Sequence, residues 1–105
     1  MQVREQTTVF IGDNTYLITA LEATYGLDVL NQVQKMALTG DSPSSAFVKE
    51  VIMKSVTVNN LQMNEKLFNT HFSKKYKEMF ELFEKIIAFN FGEEDGPNQD
   101  SGISD

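Results

Sequence analysis

The segment from Ser73 to Phe91 constrains the fold of this chain more than any other. Its large apolar side chains recur at intervals of three and four residues, the spacing that places them on one face of an α-helix. They are Tyr76, Met79, Phe80, Leu82, Phe83, Ile86 and Ile87. Lysines and glutamates fill the remaining positions, and Gly92 follows as a stop signal. The pattern predicts a helix over 73–91 with Phe80 and Phe83 on its buried stripe.

Two further helices are predicted upstream. From about residue 22 to 39, Leu27, Leu30 and Val33 fall on one stripe at helical spacing. Gly40 ends this helix, Ser42 is a good N-cap, and proline at the next position suits a first helical turn, so a second helix is predicted over 43–55.

The remaining ordered segments are β-like. Two runs rich in β-branched and aromatic residues flank Gly12-Asp13-Asn14 and predict a β-hairpin over 7–20. Residues 56–63 surround an Asn-Asn turn and predict either a second short hairpin or an extended connection. The expected fold is therefore α+β: an N-terminal β-hairpin packed on a small three-helix domain that covers residues 1–92.

Length and charge exclude several classes of protein. A chain of 105 residues has room for one small domain, and it contains no apolar run of the ~18 residues needed to cross a membrane. The net charge is −6, but five of the acids follow residue 92, so residues 1–92 carry only −1 (9 basic minus 10 acidic). We therefore expect no nucleic-acid partner. The acidic segment 93–105 holds one large apolar side chain and is expected to be disordered.

The sequence offers little material for catalysis. It has no cysteine and a single histidine, His71, which is better explained as a capping or packing residue than as a ligand or general base. No phosphate-binding glycine loop, HExxH motif or paired-carboxylate motif occurs. We therefore predict no catalytic residue, no metal and no cofactor, and a protein that is not an enzyme. The absence of cysteine fits an intracellular location.

Phenylalanines are concentrated at one end of the chain. Six of the eight lie within 24 residues: Phe68, Phe72, Phe80, Phe83, Phe89 and Phe91. A core of about 90 residues cannot easily enclose this cluster together with a hairpin that is apolar on both faces. We therefore expect an exposed apolar surface that binds a protein partner, formed by Phe10 and Tyr16 of the hairpin and by Phe89 and Phe91 at the helix end.

The order of the motifs resembles one protein family. Phe10-Ile-Gly-Asp-Asn-Thr-Tyr-Leu-Ile, followed by Ala23-Thr-Tyr-Gly-Leu-Asp-Val-Leu, resembles the opening of the tail assembly chaperones of long-tailed bacteriophages. Leu67-Phe-Asn-Thr-His-Phe, then Glu81-Leu-Phe-Glu and Phe89-Asn-Phe-Gly, resembles the closing pattern of that family. The resemblance covers about residues 7–92. It departs from the family where Ser73 replaces the usual glycine after the His-Phe pair.

The resemblance implies a function and partners. Members bind the phage tape-measure protein, keep it soluble and help the tail-tube protein to polymerise around it, and self-association is compatible with this role. It also implies action in the host bacterial cytoplasm and absence from the mature virion. Two alternatives remain open at this point: a structural or assembly component of the tail or baseplate, and a small regulatory protein that binds a host target.

Overall fold

Two antiparallel strands form the N-terminal hairpin in the computed structural model, which describes residues 4–92. Strand β1 spans Gln6–Ile11 and β2 spans Asn14–Thr19, with Val9 opposite Tyr16. The turn between them uses Gly12 at φ +59°, a backbone angle that glycine adopts without steric cost. This confirms the predicted hairpin and its location. The predicted acidic segment 93–105, and with it the domain boundary, lies outside the described residues.

A second hairpin extends the first into a four-stranded sheet. Strands β3 (Val56–Val58) and β4 (Leu61–Gln62) flank Asn59 and Asn60, both of which have positive φ. A two-residue turn with positive φ at both positions matches the right-handed twist of a hairpin, and asparagine tolerates that conformation. Of the two alternatives for residues 56–63, the hairpin is therefore correct. Because β3 pairs with β2, the strand order is β1-β2-β3-β4 and β1 lies at an edge.

Four helices accompany the sheet rather than the three that the sequence predicted. They are α1 (Ala23–Thr39), α2 (Ser45–Ser55), α3 (Glu65–His71) and α4 (Tyr76–Phe91). The α+β class is confirmed, while α3 was missed because it is seven residues long and shows no repeated apolar stripe. Helix α4 begins at Tyr76 instead of Ser73, since Lys74 has φ +64° and interrupts the right-handed helical path.

The start of α2 also differs from the prediction. Ser44, not Ser42, is the N-cap, because its hydroxyl accepts a hydrogen bond from the backbone N–H of Phe47 at 3.2 Å. Helix α2 therefore begins at Ser45, two residues after Pro43. The side chains of Val48, Val51 and Ile52 form the buried face of α2.

The core lies between one face of the sheet and the helices. Its sheet side includes Ile11, Tyr16, Ile18, Val56 and Val58. Its helical side includes Val29, Val48, Val51, Ile52, Phe68, Phe72, Leu82, Phe83 and Ile86. On the opposite face of the sheet, Thr8, Phe10 and Thr15 are exposed. Side chains alternate along both strands of the first hairpin, so one face of the hairpin lies against the core and the other faces outward.

The buried stripe of α4 is rotated relative to the prediction. Leu82, Phe83 and Ile86 are buried, whereas Phe80 is 47% exposed and Tyr76 is 65% exposed. A helix turns about 100° per residue, so Phe80 lies on nearly the opposite side from Leu82. The prediction that Phe80 is a core residue is therefore wrong, and the prediction for Phe83 is confirmed.

Candidate functional site

An apolar groove runs between α1 and α4. Its lining residues are Val33, Met36, Pro43, Phe83, Glu84, Ile87, Ala88 and Gly92, and its volume is about 330 Å³. Glu84 is the one ionisable side chain in this lining. The groove is therefore a hydrophobic surface with a single acidic residue beside it, which suits an apolar ligand better than a polar substrate.

Helix geometry explains why these side chains meet. Val33 and Met36 are three residues apart on α1, and Phe83 and Ile87 are four apart on α4, so each pair shares one helix face. Ala88 on α4 has only a methyl group, and Gly92, directly after α4, has no side chain. The space between the two helices is therefore open at this end. The small residues at the end of α4 thus create the groove.

The end of α1 is set by a backbone cap. Gly40 has φ +77°, and its N–H donates to the carbonyl oxygen of Met36 at 2.8 Å. Nothing lies within 4 Å of the position that a Cβ on Gly40 would take, so its role is conformational rather than steric. The chain can therefore leave α1 here and bring Pro43 to the same groove.

The four side chains predicted to form a partner surface do not lie together. We expected Tyr16 on an exposed surface, but it is 0% exposed and belongs to the core. The physical reason is its strand position: it shares the inner face with Ile18, and a stack on Phe72 encloses the ring. Phe10 is 74% exposed, but it points away from the helices on the outer face of the sheet.

Phe89 and Phe91 both lie at the end of α4, half-buried against the core. Phe91 follows Ile87 by four residues and so shares its helix face, next to Gly92 at the end of the groove. None of the four predicted residues is in the groove lining, and Phe91 adjoins it only as the sequence neighbour of Gly92. The sequence pattern did not assign Val33, Met36 and Ala88 to this surface, because periodicity within one helix does not show that α1 and α4 line the same groove.

A second feature, a polar cluster, lies where the first hairpin meets α3 and α4. The Tyr16 hydroxyl donates to a carboxylate oxygen of Glu78, which also accepts from the Asn14 amide at 2.8 Å. His71 Nε2 lies 2.7 Å from the same hydroxyl. Because the single phenolic proton goes to Glu78, His71 must donate through Nε2. We name Asn14, Tyr16, His71 and Glu78 the hairpin cluster.

The environment of the hairpin cluster keeps its rings neutral. Burial raises the pKa of Tyr16 well above its ordinary value, and the hydrogen bond to Glu78 acts in the same direction. Burial lowers the pKa of His71 below 6.5, with Lys75 adding to the effect and Glu78 opposing it. His71 also packs edge-on against Phe72, at 4.8 Å between ring centroids. It is the packing residue that the sequence predicted, and it joins elements rather than facing a substrate cavity.

Residues 39–93, more than half of the chain, match the model of a family described as phage tail assembly chaperone protein. The chain belongs to this family. The match begins at the last residue of α1 and includes α2, α3 and α4, and thus the α4 side of the groove. No curated protein and no solved structure matches the chain.

Within residues 4–92, His, Asp and Glu side chains form no group of three or more that could hold a metal ion. No helix in the same part of the chain is long and apolar enough to cross a membrane. Tail assembly chaperones are not a catalytic family.

Proposed function

We propose that this chaperone binds the tape-measure protein of its phage, keeps it soluble and promotes assembly of the tail-tube protein around it. The observation that carries the proposal is the apolar α1–α4 groove. Family membership supports a role in tail assembly, and the groove supplies a surface on which an apolar partner segment can be covered.

The shape and chemistry of the groove favour an amphipathic helix as the bound segment. A helix presents an apolar stripe of residues at i, i+3, i+4 and i+7, and such a stripe inserts between two helices that line a groove. Met36 is flexible and polarisable, so it can adapt to different side chains. Glu84 beside the groove favours a basic residue next to that stripe.

Release is as important as binding in this proposal. A tape-measure protein covered by chaperone must become accessible to the tube subunits, so each contact has to be weak enough to dissociate. A groove of about 330 Å³ accommodates only a few side chains, and many chaperone copies along one tape measure would supply the total affinity. We propose that the chaperone acts in the host cell, is not an enzyme and is absent from the finished virion.

Coexpression with the tape-measure protein of the same phage tests the proposal. Ala88→Lys fills the groove with a charged side chain, and Glu84 four residues earlier pairs favourably with it on the helix surface. Glu81→Lys places the same charge on an exposed position of α4 outside the groove lining and is the matched control. We expect soluble tape measure with wild type and with Glu81→Lys, and precipitated tape measure with Ala88→Lys.

Two results would count against the proposal. If wild-type chaperone fails to keep the tape measure soluble, the chaperone does not act on that protein. If purified virions contain this chain in stoichiometric amounts by mass spectrometry, it is a retained tail or baseplate component instead. Recovery of a host enzyme in a pull-down would support the regulatory alternative only if the tape measure were absent from it.

A further inference from the structure

We propose that two copies of this chain associate through their β1 strands, which pair antiparallel and join the two sheets into one. The proposal does not depend on tape-measure binding, because β1 contributes no residue to the α1–α4 groove. It depends on the hydrogen-bonding phase of β1, on its composition and on the charges at its ends.

The hydrogen-bonding phase shows which backbone groups of β1 are available. Ala20 N–H donates to the carbonyl oxygen of Glu5 at 2.8 Å, so Glu5 directs its backbone groups toward β2. The direction alternates along an antiparallel strand. The backbone groups of Gln6, Thr8 and Phe10 therefore point away from β2, and within residues 4–92 no other strand pairs with them. All three residues are exposed.

The composition of β1 leaves this edge unprotected. Exposed edge strands in soluble proteins usually carry a lysine, a proline or a bulge that prevents further pairing. The strand Gln6–Ile11 reads QTTVFI and contains no charged residue, proline or glycine. Its register with β2 is continuous over six residue pairs, without a bulge. Such an edge is suited to accept another uncharged strand.

Symmetry and charge identify that strand as a second copy of β1. In an antiparallel pair related by a twofold axis, Thr8 can lie opposite Thr8 of the partner subunit, and Gln6 opposite the partner's Phe10. Outward-directed groups then meet outward-directed groups. Arg4 at one end reaches the partner's turn, where Asp13 of the partner subunit carries the opposite charge.

The register centred on Val9, one residue further along, is less favourable. Centring the pair on Val9 would place Glu5 opposite Asp13 of the partner subunit, and like charges directly opposite each other destabilise a strand pair. In the register centred on Thr8, Glu5 instead lies opposite Ile11 of the partner subunit, so no like charges face each other; Arg4 must exchange its hydrogen bond to the carbonyl oxygen of Ala20 on the β2 side for the contact with the partner's Asp13. Pairing would also cover part of Phe10, which is otherwise 74% exposed.

The molecular mass in solution tests the proposal directly. Light scattering of the full chain, measured over a series of concentrations, should give twice the 11.9 kDa of one chain at the high end. Thr8→Lys puts two like charges opposite each other at the centre of the pair and should halve that mass. Thr15→Lys places the same charge on the same sheet face, but on the inner strand β2, and should leave the dimer intact.

A second pair of variants checks the register and guards against misfolding. Arg4→Glu should weaken the dimer, and Arg4→Glu combined with Asp13→Arg should restore it, because the end charges are then exchanged. Circular dichroism of each variant establishes that it is folded. A monomeric mass for wild type at every concentration would overturn the proposal. A folded Thr8→Lys variant that remains a dimer would also overturn it, because the interface would then lie elsewhere.

Discussion

Tyr16 is the residue for which the prediction from the sequence and the structure differ most: it was expected on an exposed surface and is buried. An aromatic ring is compatible with an exposed contact, but Tyr16 lies on the inner face of β2 and its hydroxyl reaches Glu78 and His71, which lie 62 and 55 residues further along the chain. The hairpin cluster depends on these long-range contacts, and no local pattern in the sequence predicts them. Its function is to attach the first hairpin to α3 and α4.

Removing the Tyr16 hydroxyl should destabilise the fold. We expect Tyr16→Phe to lower the free energy of unfolding by about 1–3 kcal/mol, because the partly buried Glu78 and His71 lose a hydrogen-bond partner. Tyr76→Phe is the matched control, since Tyr76 is exposed. Urea unfolding measures both. Equal stability of the two variants would show that the hairpin cluster contributes nothing.

His71 should make stability depend on pH. Its pKa is below 6.5 in the folded protein, mainly because of burial, so the unfolded chain takes up a proton first as the pH falls. The free energy of unfolding should therefore decrease as the pH falls through about 6.5, the ordinary pKa of histidine. His71→Gln removes the only histidine and should flatten this dependence. Unfolding curves at several pH values test it, and an equally steep decrease in the variant would contradict it.

At the level of elements, the sequence predicted the features that depend on neighbouring residues, such as the two hairpin turns. The Gly12 turn and the Asn59-Asn60 turn both adopt the positive φ values that their residues favour. Helix α3 and the exact face of α4 were not predictable, because they depend on which surface the sheet presents to the helices. Phe80 satisfies the same periodicity as Phe83, and only the packed structure distinguishes them.

Because the buried face of α4 differs from the predicted one, substitutions of Phe80 and Phe83 should differ in their effect on stability. Phe83→Ala should cost about 3–5 kcal/mol of unfolding free energy, because the ring is 7% exposed and packs against Phe47 at 5.9 Å between centroids. Phe80→Ala should cost less than about 1 kcal/mol, since nearly half of that residue is exposed. Thermal unfolding of both variants measures the two losses of stability. A larger loss for Phe80→Ala would mean that α4 faces the core as the sequence pattern suggested.

The N-terminus of α2 offers a similar comparison between two serines. Ser44→Ala should lower the unfolding free energy by about 1 kcal/mol, because the Phe47 N–H loses its acceptor. Ser42→Ala should have almost no effect, as Ser42 lies outside α2 and its cap. Denaturant titration can resolve this difference. If Ser42→Ala were the more damaging change, α2 would begin earlier, as the sequence suggested.

For the whole molecule, the two candidate surfaces serve different purposes. The α1–α4 groove faces a partner protein in the proposed function, whereas the β1 edge joins two copies of the chain in the proposed dimer. A dimer would carry two grooves and could hold one long partner at two places, which raises the effective affinity without tighter individual contacts. This arrangement fits the proposed function, in which the chaperone binds along a long protein and then leaves it.

Site-specific cross-linking gives the most direct test of the groove. The chain has no cysteine, so one introduced cysteine carries a photoreactive group at a unique position. Met36→Cys places that group in the groove, and Thr57→Cys places it on the outer face of the sheet as a control. After coexpression with the tape-measure protein, we predict cross-links from position 36 to an amphipathic helical segment of the tape measure, and none from position 57. Cross-links from position 57 alone would contradict the groove as the binding site.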